Sequence, residues 1–213
     1  TATSGAVFTS TSVTFLPGPA WQVSLDAAPN RIGADGVSTA YITATVTDLH
    51  GNLVADGTAV TFATSRGTLA APLVRTTVAG KAYIPLTSSL SAGIAYITGT
   101  VGARSGSTMV AFDQRVNAGG PLYIGVDGKR WAADQQYSVG GWGYDTGQVY
   151  SVTNPIALTL DDPLYQSERF SMNQYLFTVP NGAYTVTLKM AELYVTAPNL
   201  RRFNVLIEGV PVL

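Results

Sequence analysis

The sequence contains no cysteine and a single histidine, and only 12% of its 213 residues are charged, for a formal net charge of −1. Without cysteine there is no disulfide framework, no thiolate nucleophile and no thiolate metal site. His50 is the one base available to a Ser-His-Asp triad, and its place in the turn His50-Gly51-Asn52 suits a plain surface residue better. A charge-poor, near-neutral chain offers no electrostatic footprint for nucleic acid or an anionic lipid surface. No apolar run approaches the roughly 20 residues that cross a bilayer, so membrane insertion is not expected, and no signal peptide is visible.

Thr, Ser, Val, Gly and Tyr are abundant instead, and the dominant period is two. Between Val37 and Asp48, Ala40, Ile42, Ala44 and Val46 fall on one face, and Thr39, Thr43, Thr45 and Thr47 on the other. Val60 with Phe62, Ala82 with Ile84 and Leu86, and Val110 with Phe112 repeat the pattern, which marks half-buried antiparallel strands facing a second sheet. Turn residues separate them at Asp35-Gly36, Gly51-Asn52, Asp56-Gly57, Arg66-Gly67 and Ala79-Gly80.

An internal repeat frames this region. Residues 5 to 15 align without gaps on residues 102 to 112, with six of eleven positions identical at an offset of 97 residues. That offset is close to the roughly 100 residues of an immunoglobulin-like sandwich. Residues 1 to 19 therefore read as the last strand of a preceding repeat and a linker, ended by Leu16-Pro17-Gly18-Pro19. Residues 20 to 115 form one repeat and residues 116 to 213 a second domain. The joint at Asp113 to Arg115 is short enough to imply a fairly fixed angle.

The ordered set Ala34-Asp35-Gly36-Val37-Ser38-Thr39, Thr45-Val46-Thr47-Asp48, Gly51-Asn52, Val60-Thr61-Phe62, Gly67-Thr68-Leu69 and Gly80-Lys81-Ala82 resembles the invasin/intimin type of bacterial immunoglobulin-like domain. The resemblance implies a spacer in a surface adhesin, without shared catalytic residues.

In the second domain alternation returns at Tyr184, Val186, Leu188 and Met190, and at Phe203, Val205 and Ile207; both runs are expected as strands. The Gly- and Tyr-rich stretch from Ala132 to Asp162 is expected as a long functional loop. The segment Leu164-Tyr165-Gln166-Ser167-Glu168-Arg169-Phe170 sets an acid and a base between aromatics, either as a structural ion-pair node or as the rim of a site. With it come Val116-Asn117-Ala118-Gly119-Gly120, Trp131-Ala132-Ala133-Asp134, Ala191-Glu192-Leu193-Tyr194, Arg202-Phe203-Asn204-Val205 and Ile207-Glu208-Gly209. This order resembles the malectin-like carbohydrate-binding domain.

The expected fold class is thus all-β: an immunoglobulin-like β-sandwich followed by a partial jelly-roll β-sandwich of malectin type. The resemblance implies further strands and an acidic ligand-binding residue beyond Leu213, and hence an unpaired sheet edge here. It also implies an oligosaccharide partner, glucan-like, held by Tyr144 or Tyr150, by Phe170 and by Tyr194, with Phe170 where the family carries a tyrosine and Val195 where it carries a second ring. Tyrosine suits a pyranose because it joins a large apolar face to a polar tip. Glu168 and Arg169 are expected to make structural ion pairs, with Glu192 the partner of Arg169 by motif order. Asp161, Asp162, Glu168 and Glu192 could be imagined as a hydrolytic carboxylate pair, but the resemblance is to a non-catalytic module. No run matches a calcium loop and no cofactor is expected; Asp35-Gly36 and Asp127-Gly128 are explained as turns.

Two functional expectations follow. One is a non-enzymatic segment of a secreted, extracellular bacterial surface protein, in which spacers, flanked by neighbouring Ig-like domains, present a carbohydrate-binding module. The other is a structural subunit of a filament or surface layer, its sandwich completed by a strand from a neighbouring chain.

Overall fold

A computed structural model describes residues 2–4, 7–9 and 16–213. The expected strand over residues 5 to 15 lies, apart from 7–9, outside the described residues. Strands β1 (Ala2–Ser4) and β2 (Val7–Thr9) pair with one another. The chain divides into two units, Thr1–Gln114 and Arg115–Leu213. Among the described residues it is all-β apart from a single helical turn.

In the first unit, β3 (Gln22–Ala28), β5 (Thr39–Thr47), β9 (Lys81–Thr87) and β7 (Thr68–Leu69) make one sheet, in the order β3-β5-β9-β7. The second sheet runs β4-β11-β10-β6-β8, from β4 (Arg31–Gly33), β11 (Arg104–Asp113), β10 (Gly93–Val101), β6 (Ala59–Thr64) and β8 (Val74–Thr76). Every ladder is antiparallel except β4 with β11.

The period of two read from the sequence is the burial pattern of β5, where Ala40, Ile42, Ala44 and Val46 are sealed from solvent. Register sets Ile42 opposite Ile84 and Ala40 opposite Leu86, so that face meets Val60, Phe62, Ile97 and Val110 from the other sheet in one core. One glycine permits the layers to close: a Cβ at Gly106 would collide with the Val23 carbonyl. Asp48, 4% exposed, ties the unit's first connection to a turn. Its carboxylate accepts the amides of Gly18, His50 and Asn52, each at 2.9 Å.

The second unit is built from short ladders. Strand β14 (Arg130–Ala133) lies between β12 (Val116–Asn117), which is parallel to it, and β13 (Tyr123–Ile124). Strand β15 (Trp142–Tyr144) pairs with β18 (Tyr175–Phe177), and β16 (Gln148–Ser151) with β17 (Ser167–Phe170). Helix α1 (Asp162–Tyr165) leads into β17, and β19 (Leu206–Ile207) turns back onto β20 (Val210–Pro211).

Two expectations change here. Residues 132 to 162 are not one loop but carry β15 and β16, whose partners lie more than 15 residues downstream and leave no local signal. The run Tyr184 to Met190 alternates as expected yet enters no ladder among the described residues, and Tyr184, Val186, Leu188 and Met190 stand about half exposed. Of the run at Phe203 to Ile207, only Leu206–Ile207 is strand. Among the described residues the buried hydrophobic cluster lies wholly in the first unit. In the second, only Trp142 is a buried apolar side chain among the described residues.

Candidate functional site

The ladder of β16 with β17 organises the second unit's chemistry. Tyr150 stands opposite Glu168, Gln148 opposite Phe170, and Val149 opposite Arg169. Directly opposed residues share a face and neighbours along a strand alternate, so Tyr150, Gln148, Glu168 and Phe170 belong to one face and Arg169 to the other.

On the other face Arg169 itself is enclosed, although Val149 opposite it is exposed. The Arg169 Nε donates to Asp134 Oδ2 at 2.5 Å, and both side chains are nearly sealed, at 7% and 4% exposure. Asp134 also accepts the Gly119 amide at 2.7 Å and the Tyr175 hydroxyl at 2.9 Å. The Arg169 guanidinium lies 3.3 Å above the Tyr144 ring centroid and donates to the Gly147 carbonyl at 3.2 Å. Tyr144 meets Tyr175 edge-on, Tyr175 stacks on Phe177, and Phe177 on Trp142. Burial, with the hydrogen bond to Asp134, pushes the Tyr175 hydroxyl far up. Burial opposes the Arg169 charge, but the Asp134 carboxylate outweighs it and leaves the guanidinium raised. Gly119 admits this closure: it holds φ +75°, and a Cβ there would stand 2.7 Å from the Glu168 carbonyl oxygen.

The opposite face is open. Tyr150 packs edge-on against Tyr194, with centroids 5.5 Å apart and planes at 89°. Phe170 and Tyr194 are 39% and 67% exposed. Arg201 grips Glu168 with two nitrogens at 2.7 and 3.2 Å and approaches Glu192 at 3.4 Å. Glu192 accepts the amides of Tyr194 and Val195 at 2.8 and 3.0 Å, and those bonds hold its carboxyl below the usual range. The Glu168 carboxylate in turn holds the Arg201 guanidinium above its ordinary value.

Of the two tyrosines, Tyr150 packs against Tyr194, whereas Tyr144 lies under Arg169. The expected pairing of Arg169 with Glu192 is corrected. Arg169 pairs with Asp134, because Glu168, not Arg169, shares the face that meets the Glu192 turn. The sequence does not single out Asp134 or Arg201: Asp134 ends the run Trp131-Ala132-Ala133-Asp134 and Arg201 precedes an alternating run, but nothing local names their partners.

Elsewhere Asp161 accepts the Tyr123 hydroxyl at 2.8 Å and the Val126 amide at 2.9 Å, which spends it on loop structure. Among the described residues no group of three or more His, Cys, Asp or Glu side chains is arranged to hold a metal ion. No helix among them is long and apolar enough to cross a membrane.

Comparison with known proteins agrees with this two-part description. Residues 112–213 match the family model described as Malectin domain, and residues 22–113 the one described as Bacterial Ig-like domain (group 1). A probable LRR receptor-like serine/threonine-protein kinase of Arabidopsis thaliana is 32% identical over 116 residues, covering 48% of this chain and 11% of its own. Human malectin is 30% identical over 116 residues, covering 52% and 38% respectively. The chain thus spans well under half the length of these relatives. Among solved structures, the D0-D1 domain of intimin aligns over 44% of this chain and 47% of its own at 23% identity, with a TM-score of 0.37. The chain carries a bacterial Ig-like domain of group 1 followed by a malectin domain.

Proposed function

We propose that this chain is a non-enzymatic segment of an extracellular, surface-exposed bacterial adhesin-like protein, in which the Ig-like domain is a spacer and the malectin domain takes a glucan-like oligosaccharide. The observation that carries this reading is the open face of β16 and β17, where the Tyr150–Tyr194 pair, exposed Phe170 and the Gln148 amide are presented together. Rings accept the C–H face of a pyranose, and a planar amide serves its hydroxyls. Phe170 contributes ring area but no hydroxyl, so it stacks without donating.

Calorimetric titration of the full chain with short glucans tests the reading. Binding is expected, and Tyr194→Ala and Phe170→Ala are each expected to weaken it about tenfold, the order of one aromatic contact. Absence of binding, or binding untouched by both changes, refutes it.

A second reading, a structural subunit completed by strand addition, is favoured by residues 183–190. Their side chains alternate as in a strand, and their amides find no backbone partner among the described residues. Light scattering decides it: concentration-dependent assembly lost on Leu188→Lys supports it, and a monomer at all concentrations removes it.

A further inference from the structure

The Tyr194 ring is two-thirds exposed, and its segment from Ala191 to Asn204 joins no ladder among the described residues, so something other than sheet pairing must fix it against Tyr150. The groups that do so converge on one guanidinium. Glu168, directly opposite Tyr150 in the ladder, is held by two Arg201 nitrogens. Glu192 turns Oε2 toward Arg201 and uses Oε1 to accept the amides of Tyr194 and Val195. The backbone of Tyr194 is therefore tied to one carboxylate, the ladder partner of Tyr150 carries the other, and both carboxylates meet the same arginine.

We propose that Arg201 is the positioning residue of the aromatic platform: by bridging Glu168 to Glu192 it locks Tyr194 beside Tyr150 and so sets the affinity of the open face, without itself contacting ligand. The proposal rests on the carbohydrate reading only for its effect on affinity. A planar fork is required, because one charged group must satisfy two carboxylates from fixed directions; a lysine ammonium on a flexible stem cannot hold both. The three side chains are 20 to 37% exposed, so the bridge matters less as a source of stability than as a constraint on geometry.

The experiment uses the isotope-labelled full chain and three readouts: the ring-to-ring NOE between Tyr150 and Tyr194, hydrogen exchange at the Tyr194 and Val195 amides, and titration with short glucans. In Arg201→Gln the NOE is expected to vanish and exchange to accelerate. Affinity is expected to fall roughly two- to twelvefold, the cost of re-ordering one released side chain. The Tyr175 and Trp142 resonances on the Arg169 side should not move. Arg201→Lys should fall between. Glu192→Gln, which keeps an amide acceptor but loses the ion bridge, should weaken the NOE in the same direction, and it decides the matter should Arg201→Gln unfold the unit. An NOE and amide protection that persist in the informative variant overturn the proposal. If the unaltered chain binds no glucan, the carbohydrate reading falls, while the NOE and exchange still decide the role of Arg201.

Discussion

The partner of Arg169 gives the sharpest quantitative test, because motif order points to Glu192 and geometry to Asp134. Arg169→Gln leaves a carboxylate that is 4% exposed with the Tyr175 hydroxyl and the amides of Gly119 and Gln135 as donors. Stranding a buried charge costs about 3 to 5 kcal/mol, and three remaining donors bring the expected loss to about 2 to 4 kcal/mol. Asp134→Asn removes the charge from the other side, so the two changes should not add. Their coupling is expected at about 1.5 to 3 kcal/mol, the range of a hydrogen bond between charged groups. The same cycle run with Glu192→Gln should couple to Arg169 by less than about 0.5 kcal/mol, since Glu192 engages Arg201 and two amides instead. Urea unfolding of the full chain, followed by tryptophan fluorescence, measures all three. Additivity of Asp134→Asn with Arg169→Gln, or stronger coupling to Glu192, would refute the argument.

Other consequences concern the rest of the chain. Asp48 has its carboxyl lowered from 3.8 to about 2, chiefly by the Gly18 amide. A depressed folded-state value means stabilisation present above about pH 4 and lost as pH falls through about 2, so Asp48→Asn should flatten the acid-unfolding profile of the first unit in that window; an unchanged profile contradicts this. Ile84→Ala opens a cavity in a sealed core and should cost about 2 to 5 kcal/mol in chemical denaturation; a loss under 1 kcal/mol would mean the sheets can collapse onto the space. Gly119→Ala puts a Cβ against the Glu168 backbone at positive φ. It should lower the thermal midpoint of the second unit and leave the first unit's transition in place, as calorimetry can check.

The two units differ in how much of them is legible in sequence. Ile42, Ile84 and Phe62 announce their strands because each strand is half buried, and burial with a period of two is a local pattern. Trp142-Gly143-Tyr144 announces nothing comparable, for it is three residues long and owes its strand character to Tyr175–Phe177. The run from Tyr184 to Met190 shows the converse: its pattern is strong, yet it enters no ladder among the described residues, because alternation reports a readiness to pair and not a partner. At the site, the malectin resemblance points to Tyr144 or Tyr150, to Phe170 and to Tyr194; Tyr150 and Phe170 share the open face, Tyr194 adjoins it, and Tyr144 lies against Arg169. The ion pairs were not readable, because they depend on which strand face meets which turn. Strand parity alone does separate Glu168 from Arg169, and so places only Glu168 toward the Glu192 turn.

The parallel contact of β4 with β11 has a mechanical meaning for a chain drawn taut. Residues Arg31, Ile32 and Gly33 lie beside Ala111, Phe112 and Asp113, flanked by bonds from Ala111 to Asn30 and from Ala34 to Asp113 and by the Arg31–Asp113 ion pair at 3.0 Å. Tension applied near the two ends of the Ig-like domain pulls these strands lengthwise in opposite senses, so the bonds share the load and rupture together instead of unzipping singly. In a domain pulled from its two ends, that short seam would carry its load in shear.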